Sequence, residues 1–222
     1  MGKLYIFGCS FSGIHTLGLL NNPDMKKYYE YRGGNFPPTW SELLAKDLKL
    51  ELVNKASWGS DNYKIFEEFC KNVDNIQSND IVIIGWSGVN RFRLYSEMEN
   101  NLLSVNPWTT NKNNKFVDIS KNTLDEIIIN RNNFMWVSEV YNWMKVINRL
   151  SKLIGFKLHY WSFFNEFNEM YVIDNVLNLG AEYITQETNG QVYNDHFGEK
   201  GHKVQSEYFK EILLKKETKK FI

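Results

Sequence analysis

The stretch "YIFGCSFSG" (5–13) places Cys9, Ser10 and Ser12 directly after an apolar run. Each carries an atom that could act as a nucleophile, and the stretch alone does not choose between them or exclude a plain strand and turn. Cys9 alternates with Ser10 across an extended backbone, so it is expected to point into the sheet as a small apolar side chain. A serine hydroxyl needs a base to attack at neutral pH, and histidine is the usual one. Four histidines are available. His15 follows the serine turn. His159 lies inside an apolar run, where packing is expected. His196 and His202 share "YNDHFGEKGH" (193–202). His202 falls in the first turns of a helix, where a surface position is expected, whereas His196 falls in the loop before it.

These residues need elements to bring them together. Four apolar segments predict buried parallel strands: "KLYIFG" (3–8), "LELVNKA" (50–56), "DIVIIGW" (80–86) and "FKLHYWSFF" (156–164), with a weaker fifth at "AEYITQ" (181–186). Helical patterns separate them at 39–48, 60–73, 138–155 and 199–216. Thr39 with Glu42 predicts a capping box, and Gly155 a helix stop. Alternating strands and helices predict an α/β fold, a flavodoxin-like three-layer sandwich with a mostly parallel five-stranded sheet. Sites in such folds lie at the carboxyl ends of strands near a switch in strand order. Gly8-Cys9-Ser10, Ser57-Trp58-Gly59-Ser60 and Trp86-Ser87-Gly88 end the first three strands. Trp58 and Trp86 could floor a sugar site or pack in the core.

Length suits a single domain over 1–222. Residues 13–38 read as a long loop. Residues 88–135 are asparagine-rich and break the alternation, so they are expected to be an insertion with short helices, a lid or binding segment over the crevice. Arg91 and Arg93 within it could meet an anionic substrate group or lie solvated. Lys and Arg total 26, as do Asp and Glu, which argues against nucleic acid or anionic membrane as a general partner. The basic "KKETKK" (215–220) is expected to be a solvated helix end. Two cysteines make no disulfide framework and suit a reducing compartment. No signal peptide, membrane span or zinc-spaced Cys/His cluster is legible, so a cytoplasmic protein without metal is expected.

These motifs resemble the SGNH hydrolases, the GDSL-type esterase superfamily. Gly8-Cys9-Ser10 is similar to the family's Gly-x-Ser turn, with cysteine where aspartate is common. Gly59 in "NKASWGSDN", the strand and glycine of "IVIIGWSG", and "HFGEKGH" before the last helix follow in family order. The same run also resembles SGNH-like proteins of tailed bacteriophages. The resemblance implies a serine esterase needing no cofactor, acting on short acyl groups such as acetyl, on a small molecule or carbohydrate. Ser10 would attack the carbonyl and His196 would be the base. The N–H groups of Ser10 and Gly59 would hold the oxyanion, completed in the family by an asparagine amide. Ser87 stands at that asparagine's place, and Asn90 or Asn62 could supply the amide instead. Tyr193 stands where the family has its aspartate, and Asp195 adjoins His196. A triad with Asp195 and a Ser–His dyad oriented by a backbone carbonyl are both open. Acyl transfer would use the same residues. The alternative from another class is a catalytically inactive binding or structural module, for example of a virion.

Overall fold

Period-two burial in the first strand decides the layering. In β1 (Lys3–Gly8), Leu4 and Ile6 face one side of the sheet and Tyr5 and Phe7 the other. In β3 (Ile81–Trp86), Ile83 joins the first side, and Val82, Ile84 and Trp86 the second. Both faces are therefore buried, and helices must cover both. A computed structural model of the chain describes residues 2–88, 91–96, 100–105, 126, 133–163, 174–175 and 182–214. In it, α2 (Trp40–Leu48) and α6 (Glu199–Leu214) cover one face through Trp40, Leu44 and Phe209. On the other face α3 (Asn62–Asn72) and α4 (Asn133–Ile154) supply Ile65, Phe69, Val140 and Ile147.

The sheet adds β2 (Glu51–Asn54), β6 (Lys157–Ser162) and the two-residue β7 (Asp174–Asn175), in the order β2-β1-β3-β6-β7. All its pairings are parallel. The chain runs outward from β1 to β2, then returns past β1 to β3. This reversal opens a crevice at the carboxyl ends of β1 and β3, as the α/β reading requires.

The helix signals at the predicted starts and stops are met. Thr39 N–H donates to the Glu42 carboxylate at 2.8 Å. Asp61 caps α3 by accepting the Lys64 N–H at 2.8 Å. Helix α4 stops where Gly155 takes a φ of 93°.

Three expectations are corrected. The loop 13–38 contains a 3₁₀ turn (Leu17–Asn21) and α1 (Pro23–Tyr31). Its start was legible: Asn22 accepts two backbone N–H groups, Pro23 opens the helix and Asp24 adds an acid to the first turn. The fifth strand expected at 181–186 is not part of the sheet. Tyr183 makes one antiparallel bridge to Phe197, and Ile184–Glu187 is a helical turn, α5. In 88–135 the described part is not short helices alone but an antiparallel hairpin, β4 (Phe92–Ser96) and β5 (Asn101–Val105), with α4 starting at Asn133. Asn90 and the basic 215–220 lie outside the described residues. Among the described residues no helix is long and apolar enough to cross a membrane.

Candidate active site

The turn after β1 is held by its carbonyls. Gly8 O accepts from Ser57 N–H at 3.1 Å, Cys9 O from Ser12 N–H at 2.9 Å and Ser10 O from Gly13 N–H at 3.3 Å. Phe11 O accepts from Trp40 Nε1 at 2.8 Å, and Ser12 O from Asn54 Nδ2 at 2.8 Å. Five consecutive carbonyls are thus satisfied by β2 and the loop after it, α2 and the turn itself. Among the described residues the Ser10 N–H is given to no carbonyl.

Packing separates the three possible nucleophiles. Cys9 is buried with Leu4, Ile6 and Trp40 in the apolar core, where it faces no substrate. Ser12 is 1% exposed, and its Oγ lies over the paired glycines Gly8 and Gly85. A Cβ on Gly85 would sit 2.7 Å from Ser12 Oγ and 2.5 Å from Trp161 Nε1, so only glycine leaves room there. Ser10, 6% exposed, sits between these two at the end of the strand.

His196 reaches the same turn through an aromatic column. Its ring stacks on Phe11, the residue after Ser10, with centroids 4.8 Å apart and planes 18° apart. Its other face stacks on Trp58 at 4.3 Å and 18°. Phe163 lies on the far side of Phe11 at 3.8 Å. Trp58 also abuts Gly13, 3.3 Å from where a Cβ there would stand.

The tautomer of His196 follows from its neighbours. Asn194 Oδ1 accepts the His196 backbone N–H at 3.0 Å, so the atom facing it is the amide oxygen. The same oxygen is 2.6 Å from His196 Nδ1. An oxygen that only accepts requires a proton on Nδ1. The lone pair is then on Nε2, which is buried and has no hydrogen-bond partner among the described residues. Asn194 is itself fixed by Thr185, whose Oγ1 accepts the Asn194 N–H at 2.9 Å and donates to Asn194 O at 3.0 Å. The bridge between Tyr183 and Phe197 lays the histidine loop along this segment.

His202 has the opposite tautomer. It is 3% exposed, not on the surface as the sequence suggested, and its Nδ1 accepts the Trp40 N–H at 3.2 Å. Its basic nitrogen therefore terminates α2. His15 lies 5.2 Å from His202, ring to ring, and 6.4 Å from Trp58. Burial holds all three imidazoles neutral: it pulls His15 down to about 4 and His196 to about 3, and His202 well below its ordinary value. The nearby cationic forms of His15 and Arg91 add to the effect at His196. His159 is the packing residue expected, its ring edge-on to Phe209 at 5.5 Å.

The remaining candidates are placed as follows. Asp195 is exposed, and the place at Nδ1 that either Asp195 or a backbone carbonyl could have filled belongs to the Asn194 side chain. Gly59 is exposed in a turn with φ of 74° and open space above it. Asn62 does not offer its amide to the crevice. Its Oδ1 accepts the Ser87 N–H at 2.7 Å and its Nδ2 donates to Ser87 O at 2.9 Å, which clamps the end of β3. Ser87 is fully buried beneath that clamp. Arg93 does not wait for a substrate anion: Asp61 accepts its Nε at 2.9 Å, which pins the hairpin to α3. Trp86 is in the core beside Tyr160. Among the described residues no group of three His, Cys, Asp or Glu side chains is placed to hold a metal ion.

The sequence reading missed Asn194 and the stacking role of Trp58. "ND" before His196 was the signal for the first: asparagine, like aspartate, bonds backbone groups two residues on, and here it bonds the His196 N–H. Exchanging the two neighbours is expected to separate them. Asn194→Ala should lower kcat/KM for a short ester by about 10²-fold or more, because the ring loses its orienting acceptor. Asp195→Asn should change it by less than about tenfold. Steady-state kinetics on one ester check both.

No family model matches the chain, and no curated protein matches it. Among solved structures, the chain is similar to a protein assigned to the G-D-S-L lipolytic family from Desulfitobacterium hafniense DCB-2. That likeness has a TM-score of 0.48 and 10% identity, over 96% of this chain and 99% of the other.

Proposed function

We propose that the chain is a serine ester hydrolase in which Ser10 is the nucleophile and His196 the base. The observation that carries this reading is the fixed tautomer of His196. Asn194 accepts the Nδ1 proton, and Nε2 is left basic on a ring stacked between Trp58 and Phe11, the residue after Ser10. In the reaction, Nε2 takes the Ser10 Oγ proton as the bond from Oγ to the acyl carbon forms. It then gives that proton to the leaving oxygen as the ester C–O bond breaks. Water attacks the acyl-serine by the same transfers in reverse order. In this reading the Ser10 N–H meets the oxyanion, with Gly59 the second donor that the order of motifs implies. Asn194 holds the imidazole as the acid of a triad would, but without a negative charge.

The order of motifs shared with SGNH hydrolases supports the same roles and a short acyl group, acetyl above all. A carbohydrate acceptor is part of this proposal. The hairpin at 92–105 is proposed as part of a binding segment within a single domain. The test is covalent labelling. An alkyl fluorophosphonate is expected to add once per chain, with the adduct mapped to Ser10 by peptide mass spectrometry. The protein should also hydrolyse p-nitrophenyl acetate. An adduct on Ser12, or none with the fold intact, would overturn the assignment.

A further inference from the structure

A histidine base becomes a cation when it takes the serine proton, and a carboxylate usually meets that charge. Here the atom on Nδ1 is a neutral amide oxygen, and Asp195 is exposed beside it. Among the described residues, the charged or titratable groups that bear on His196 are His15, Arg91 and His202, all of which oppose a further positive charge. Yet the ring lies between two aromatic faces, at 4.3 Å from Trp58 and 4.8 Å from Phe11, each inclined by only 18°. The π face of an aromatic ring is negative and attracts a cation within about 6 Å, most strongly for tryptophan and away from water.

We infer that the Trp58 and Phe11 faces stand in for the missing carboxylate by stabilising the imidazolium of His196 during the reaction, with Trp58 the principal positioning residue. This rests on the reading of His196 as the base. The neutral imidazole gains little from the stack, and the imidazolium gains more, so the contact favours the transition state over the ground state. It also gives a role to the half-buried Trp58, which packs against the small cluster of Met25, Tyr28, Ile184 and Val192 and stacks on the histidine.

The experiment replaces Trp58 with mono-, di-, tri- and tetrafluorotryptophan by site-specific incorporation. Fluorine draws charge from the π face and changes the ring's shape little, so packing is kept while the attraction falls. The expected result on p-nitrophenyl acetate is a stepwise fall in kcat reaching about tenfold for the most fluorinated ring, with KM unchanged. Trp58→Phe should fall within the series, and Trp58→Leu below it. A kcat that is flat across the series, in chains for which Ser10→Ala and His196→Ala remove activity, overturns the inference and leaves the catalytic reading standing. Turnover that survives those two substitutions overturns both.

Discussion

His196→Ala is expected to lower kcat/KM for a short nitrophenyl ester by at least about 10³-fold, as should Ser10→Ala. The two act as one unit, so the double variant should be little worse than either single one. The reason is local. His196 Nε2 carries the free lone pair because Asn194 fixes the proton on Nδ1. His202 is close by and more deeply buried, but its lone pair is already engaged by the Trp40 N–H. His202→Ala should therefore leave the rate within about tenfold of the parent. It should instead destabilise the fold by about 1–3 kcal/mol, because the first turn of α2 loses an acceptor in a buried site. Parallel kinetics and urea melts measure the two effects. A His202→Ala variant that stays folded but loses rate as His196→Ala does would exchange the roles of the two histidines.

Acid should destabilise this protein well above the carboxylate range. His15, His196 and His202 all have folded pKa values below the ordinary imidazole value of about 6.5, through burial first, with repulsion from nearby cations adding to it at His196 and His202. Above pH 6.5 they are neutral in both states and cost nothing. As pH falls below 6.5 the unfolded chain takes up protons that the folded chain refuses, so stability is lost progressively toward the folded values. Each such proton is about 1.4 kcal/mol per pH unit, so three together approach about 4 kcal/mol per unit. Urea unfolding between pH 7 and 5 should show a slope of more than one proton, and His15→Gln should reduce it by up to one. A flat stability over that range would mean that the imidazoles are not held neutral. Activity should follow the opposite logic while the fold lasts. With His196 at about 3, the base stays deprotonated, and kcat/KM should not fall on the histidine's account between pH 8 and 5.

What the sequence by itself determined is local and periodic. Strands β1, β2, β3 and β6 are legible because apolar side chains come in short runs that must be buried on both faces. Helix α2 is legible because Thr39 and Glu42 satisfy its first N–H groups without help from elsewhere. The positions of Ser10 and His196, at a strand end and before the last helix, are legible for the same reason. Successive residues of an extended backbone point to opposite faces, so Cys9 and Ser10 must diverge. Helix α1 was legible in Asn22-Pro23-Asp24 but is masked by weak apolar periodicity around it.

Only the tertiary structure decided which partners those residues meet. Sequence spacing puts Asp195 beside His196, yet the loop that pairs with Tyr183 and Thr185 turns the Asn194 amide onto the ring and the aspartate outward. Asn62 looked free to donate, but it meets the broken backbone at the end of β3, 25 residues away, and is held there. His202 looked solvated on a polar helix, but α2 packs its N-terminus against it from 162 residues away. For Asn62 and His202, buried backbone groups at an element's end needed a partner, and it came from a distant part of the chain. Burial makes such pairing obligatory, and the packing of distant elements, which no local pattern encodes, decides which side chain supplies it.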